Sequence, residues 1–318
     1  MLLASPVLRA DDKPKEDKKP PTPQEQFSAL VKDYSSEQAK ILAEYRKLKG
    51  AEQQKQLQKY FALGGEFAGK IYKIAEDNPK DPVAVEALFW IVQNDRSSPV
   101  RTKALEKVKA VINEMPLDAL AKRLKTVFGL GPDVMDVVFE RAKKEKKSDE
   151  VGDLLGWLVQ SGSYLPVGQK AIDLLVDQYP EHPAIENACQ SLGQGRVKNA
   201  VETLNKILEH STKPKVKGSA TLALGQLTAA KVDGLGDKLA EAEKVAAEAE
   251  TYFTKAIDQY GKDFPAIKTA AEQNLKLLHF NRVGLTVPEI SAADLDKKEF
   301  KLSDYRGKVV LLDFWGNW

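Results

Sequence analysis

The sequence predicts a mainly α protein, a long array of antiparallel helices followed by the first strands of an α/β segment. Three observations carry this. Apolar residues recur at three-and-four spacing from residue 24 to about residue 281. Short breaks, most of them containing Pro, interrupt that pattern at intervals of roughly 32 to 37 residues, the length of one helix–turn–helix unit. At about residue 282 the period changes from helical to alternating and leads into a continuous apolar run, Val309 to Leu312. Three parts follow: a leader and linker over 1–23, a helical domain over 24–281, and a strand-forming part over 282–318.

Composition narrows the function classes. The 318 residues are 42% hydrophobic and 30% charged, with 48 basic against 46 acidic side chains. So even a balance argues against a nucleic-acid partner, which needs a clustered basic surface. The run Lys143, Lys144, Lys146 and Lys147 is short and reads as a solvated helix end. No stretch of about 18 apolar residues occurs, so no transmembrane segment is expected. One cysteine, Cys189, allows no intrachain disulfide.

Met1 to Ala10 has the character of the tail of a secretory signal peptide, with a small-residue cleavage site after Ala10. It lacks a basic start and its apolar core is short, so a disordered N-terminus is the alternative. Asp11 to Pro23 is rich in Lys, Asp and Pro, cannot bury apolar surface, and is expected to be a disordered linker. Together these favour an extracytoplasmic location.

Helices then begin. Phe27, Leu30, Val31 and Tyr34 share one face, and Ile41, Leu42, Tyr45 and Leu48 continue it, with Ser35-Ser36-Glu37 and Lys49-Gly50 as expected punctuation. A further helix runs from Ala51 through Phe67 and Ile71, with Gly64-Gly65 as a weak point or break. The later breaks are Asn78 to Pro82, Met115-Pro116, Lys147-Ser148, Tyr179 to Pro183, Lys213-Pro214 and, after a lengthened helix over about Asp237 to Tyr260, Asp263-Phe264-Pro265. Small Ala residues at packing positions, a closing Tyr and Pro in the turns resemble tetratricopeptide repeats in degenerate form. One such hairpin cannot bury its apolar face alone, so several stack. An irregular antiparallel helical array is the alternative. Either form would offer a surface for protein partners.

The C-terminal part carries a second resemblance. Gly284-Leu285-Thr286-Val287-Pro288, Phe300 to Lys308, and Leu311-Leu312-Asp313-Phe314-Trp315-Gly316-Asn317-Trp318 resemble the start of a redoxin domain of the thioredoxin-like superfamily, in particular its TlpA-like thiol-disulfide oxidoreductases. Lys297-Lys298 stands where many members have a Gly turn. The resemblance implies a Cys-x-x-Cys pair just after Trp318, at a helix N-terminus that lowers the thiol pKa and so supplies the attacking thiolate. It implies that Asp313 is the buried carboxylate that moves protons during exchange, with a strand-end Asp facing water as the alternative. Phe314, Trp315 and Trp318 would pack around the dithiol, and the partners would be protein thiols and disulfides. Because the sequence contains no cysteine after Asp313, the chain itself is expected to be inactive. Val309 to Phe314 would then be an unpaired apolar strand.

Nothing else in the sequence rivals this site. Cys189 lies in a helical pattern and reads as a buried thiol. His182, His210 and His279 are scattered singly, so neither a metal nor a cofactor is expected. Gly129-Leu130-Gly131-Pro132 and Gly193-Gln194-Gly195 lack the context of a phosphate loop and read as turns. The rival functions are a peroxiredoxin-like peroxidase, whose Pro-x-x-x-Thr-x-x-Cys loop is absent here, and a helical scaffold without redox activity.

Overall fold

The computed structural model describes residues 20–127, 129–280 and 284–313. The signal-like Met1 to Ala10, most of the Lys/Pro-rich linker and the period change at 282 lie outside those residues. The described chain is mainly α, with thirteen α-helices and one two-stranded sheet. It divides into two compact units, one running to Met115 and including Val127–Val134, the other made of Pro116–Thr126 and the residues from Met135 onward.

The first unit holds α1 (Pro23–Tyr45), α2 (Gly50–Asp77), α3 (Pro82–Asn94) and α4 (Pro99–Glu114). Thr22 opens α1 with a capping box: its side chain accepts from the Glu25 N–H, and Glu25 accepts in return from the Thr22 N–H at 2.7 Å. The expected linker thus ends one residue early, because Pro23 serves as the first helical residue. Ser35 does not punctuate α1, since its hydroxyl donates to the Val31 carbonyl at 2.9 Å and the helix continues. Gly64-Gly65 does not break α2 either. A Cβ on Gly64 would lie 1.8 Å from the Asn94 carbonyl oxygen, so this glycine allows close approach of α2 to the end of α3. Each helix packs on its successor, and α1 reaches α3 as α2 reaches α4.

The second unit contains α5 (Leu117–Leu124), α7 (Asp149–Gly162), α8 (Pro166–Gln178), α9 (Ala184–Gly193), α10 (Ala200–His210), α11 (Pro214–Asp233), α12 (Leu239–Tyr260) and α13 (Pro265–Phe280), while α6 (Pro132–Lys144) starts in the first unit and continues into the second. Helices α7, α9, α11 and α13 pack in succession as one layer, α8 lies on α10, and α12 closes on α11 and α13. The core of the last three helices is built from Phe253, Ile267, Leu278 and small residues such as Ala246, Ala249, Ala256 and Ala271. Gly225 lets the Phe253 ring sit where a Cβ would be 2.6 Å away.

All six breaks read from the sequence separate helices here, and several of their prolines are first residues of helices, as at Pro82, Pro214 and Pro265. The alternate connections, such as Asp95 to Ser98 and Ser163 to Leu165, were not singled out. The Asp95 turn hides its signal in side-chain chemistry: the buried carboxylate accepts from the Ser97 and Ser98 N–H groups and from the Ser98 hydroxyl, while Ser98 caps α4.

Beyond α13 the described chain forms β1 (Ser291–Ala293) and β2 (Glu299–Lys301), an antiparallel pair in which Ala292 faces Phe300, followed by a 3-10 turn over Leu302–Tyr305.

Candidate functional site

The approach to the expected redox centre begins at Gly284, whose φ of 90° suits a residue without a side chain and whose backbone lies against Leu239. The hairpin that follows is organised by carboxylates. Asp294 Oδ1 accepts from the N–H groups of Asp296 and Lys298, both at 2.9 Å, and the Asp294 N–H donates to the Lys298 carbonyl. The turn places Lys297 at φ 63°, the left-handed conformation in which glycine is easiest. Lys297-Lys298 stands where the resemblance noted above has a Gly turn, and the turn keeps a conformation suited to glycine.

Two further carboxylates hold the hairpin to the next turn. Glu289 Oε1 accepts from the Ser303 N–H at 2.9 Å, and hydrogen bonding from the Ser303 side chain, followed by that backbone bond, holds the Glu289 carboxyl below its ordinary range. Asp304 Oδ2 accepts from the Lys301 N–H at 2.9 Å, while the Leu302 N–H reaches the Ile290 carbonyl. Phe300 meets Tyr305 edge to face, and Lys308 lies over the Tyr305 ring at 5.8 Å. The turn ends at Gly307, with φ 83°, and releases the chain into Val309 to Asp313. Sequence reasoning did not pick out Glu289 or Asp304 as the carboxylates that hold this turn.

Val309 to Leu312 has no strand partner among the described residues. Val309 and Leu311 are almost fully exposed, Val310 and Leu312 about half so. The run patterned for burial on both faces is therefore solvent-facing, as expected for a strand without a flanking sheet. Asp313 is exposed. Phe314, Trp315 and Trp318 lie outside the described residues.

The remaining chemistry-bearing residues do not converge. Cys189 is fully buried in α9, and burial pushes its thiol pKa up to about 12, so it carries no thiolate near neutral pH. His182 packs against Gly152 and accepts the Ala184 N–H at Nδ1, 3.2 Å away, which is a structural use of the ring. Among the described residues no three His, Cys, Asp or Glu side chains gather as a metal site, and no helix is long and apolar enough to cross a membrane.

The similarity found among known proteins is to the class of thiol-disulfide oxidoreductases and is confined to a short stretch. Over 36 residues, 11% of this chain, the sequence is 53% identical to "Thiol-disulfide oxidoreductase ResA" of Geobacillus thermodenitrificans (strain NG80-2). It is 56% identical over 36 residues to the protein of the same name from Geobacillus kaustophilus (strain HTA426). The match covers 21% of each relative, so the chain spans about a fifth of their length. No family model matches. A solved chain from "Computational Design of Self-Assembling Cyclic Protein Homooligomers" aligns over 84% of this chain and 90% of its own at 17% identity, but with a TM-score of 0.22 it supports no shared fold.

Proposed function

We propose that the chain is the helical domain and first redoxin strands of a thiol-disulfide oxidoreductase of the TlpA-like group, acting on protein thiols and disulfides outside the cytoplasm. The observation that carries this reading is the 36-residue similarity to proteins described as thiol-disulfide oxidoreductases. We assign it to the stretch that ends in Leu311-Leu312-Asp313-Phe314-Trp315-Gly316-Asn317-Trp318. The carboxylate-pinned hairpin and the Gly307-Lys308 turn, which lead directly into that run, support it.

In this reading the reacting thiols follow Trp318. The first, as thiolate, attacks a substrate disulfide sulfur and expels the other sulfur as the leaving thiolate; the second, as thiolate, then attacks the first thiol's sulfur in the mixed disulfide, closing the Cys-x-x-Cys disulfide and releasing the remaining substrate sulfur as thiolate. Asp313, once covered by the remaining sheet, takes up and returns the proton, and Phe314, Trp315 and Trp318 wall the dithiol from water. The helical domain presents partner proteins, a use supported by the stacking of alternate helices within the second unit.

The codons that follow Trp318 in the source gene decide the reading: Cys-x-x-Cys there supports it, and a continuation without cysteine removes it in favour of a helical scaffold. Insulin reduction by the 318-residue chain should not exceed the buffer rate. Turnover would mean that Cys189 acts as a redox thiol.

A further inference from the structure

We propose that the cavity between α7 and α9 binds an extended polypeptide segment through its main chain, independently of its side chains. The proposal rests on the reading that the helical domain presents partner proteins, and it gives that use a place and a chemistry.

The cavity, about 280 Å³, lies within the second unit. Gln160, Ser163 and Tyr164 line one side of it, at the end of α7. Asn187, Gln190 and Gln194 line the other, along α9 and at its end. These three follow one another at about one helical turn, so they form a row about 10 Å long. The two helices meet one turn before Gln160, where a Cβ on Gly156 would lie 2.6 Å from that of Ala184. The four carboxamides and Tyr164 are exposed. None of these side chains hydrogen-bonds or ion-pairs with another described residue, so their donors and acceptors are free for a ligand.

The chemistry of the walls selects that ligand. A carboxamide donates and accepts at once, as a peptide group does, so the two pair in kind. An extended segment rises about 3.3 Å per residue and turns its N–H and C=O groups to either side, so about three residues span the row and meet both walls. The walls hold no carboxylate for a metal ion or a basic side chain, and Arg196 is their one cation, too few for a polyphosphate. Tyr164 is their one large apolar side chain, so there is no pocket for an apolar anchor. What remains to be recognised is the main chain.

A sugar shares the double hydrogen-bonding character, but the carboxamides continue past the cavity. A Cβ on Gly193 would lie 2.6 Å from Gln226 Oε1, so the half-buried Gln226 of α11 reaches across to α9 beside Gln194. Gln160, Gln194 and Gln226 thus recur about one helix–turn–helix unit apart along the α7–α9–α11 layer. A line that crosses three helices fits a chain better than a compact ring.

The test is fluorescence anisotropy of a blocked, fluorescein-labelled octapeptide of alternating Ala and Ser, titrated with the full 318-residue chain. Saturable binding with a Kd of about 100 µM is expected. Replacing every second amide of the peptide by an ester removes N–H donors and leaves the side chains alone, and should weaken binding at least about tenfold. Replacing its serines by lysines should change the Kd less than about threefold. Gln190→Leu and Gln194→Leu should each weaken binding about fivefold or more, whereas Gln259→Leu, on the exposed side of α12, should leave it unchanged. Maltotriose at about 10 mM should not displace the peptide. Helicity by circular dichroism confirms that each variant is folded.

Absence of saturable binding at about 500 µM chain overturns the proposal. So does indifference to the ester peptide or to both Gln→Leu variants, which is adhesion elsewhere on the surface. A strong effect of the lysines means side-chain recognition and overturns it too, and displacement by maltotriose gives the cavity to a sugar. None of these readouts needs a thiol. The codons after Trp318 can therefore remove the redox reading and leave this result standing, and the titration can fail while that reading holds.

Discussion

At the scale of single residues, what a side chain touches decides its role more than its type does. Gly64 and Gly69 stand five positions apart in α2, and their environments are opposite. A Cβ on Gly64 would collide with the Asn94 carbonyl, whereas one on Gly69 would meet nothing within 4 Å. Gly64→Ala is therefore expected to destabilise the first unit by about 3 kcal/mol through overpacking against backbone. Gly69→Ala should stabilise it by about 1 kcal/mol through helix propensity alone. Thermal melts of the two variants check both signs, and equal shifts would refute the close approach of α2 to α3. Cys189 is a similar case. With its thiol pushed up to about 12 by burial, it should resist a disulfide reagent at pH 8 and react only when denaturant opens α9. Fast labelling of the native chain would contradict this. The reading of Cys189 as a core thiol was possible from its helical context, whereas Gly64 was misread as a break because the sequence cannot show which backbone passes nearby.

At the scale of elements, two kinds of turn hold the molecule together. At one set of helix junctions, hydrogen bonds run between turns about a repeat apart. Glu181, between α8 and α9, accepts the Thr212 N–H at 2.6 Å, and Lys213 reaches the Glu181 carbonyl. Lys147, just after α6, lies over the Tyr179 ring at 5.3 Å. These contacts link the breaks that the sequence spacing identified, and they give the closing Tyr179 a use at the helix end. The β1–β2 hairpin depends instead on its own carboxylates. Glu289 has a lowered native pKa because it is hydrogen-bonded by Ser303, by the side chain first and by the backbone N–H second. The stabilisation it contributes is thus present above the ordinary glutamate value of 4.5 and is lost as pH falls through the lower folded value. Amide exchange at Ser303, corrected for the intrinsic pH dependence, should lose protection across that interval, and Glu289→Gln should lack this transition. An unchanged profile in the variant would show that another group controls the hairpin.

At the scale of the whole molecule, the helical bulk and the short redoxin-like segment contribute different things. The helices bury nearly all the core and leave one free thiol that is chemically silent. The segment from Gly284 to Asp313 buries little, yet it holds the described part of the redox-like sequence pattern. Because the chain contains one cysteine, its electrophoretic mobility in denaturing gels should be the same with and without reductant when intermolecular oxidation is blocked. A faster non-reduced band would require an intrachain cross-link and would sink that expectation.

By itself the sequence determined the mainly α class, the six breaks and the turn into Val309, because periodicity, proline and capping residues act over a few neighbouring positions. It also determined the redoxin-like pattern, which lies in the order of side chains rather than in their contacts. Only the tertiary structure decided that α1 and α2 run unbroken, that the helices gather into two units, and that Val309 to Asp313 faces solvent. Those outcomes depend on which distant backbone or sheet edge comes within contact distance, and no local pattern records it.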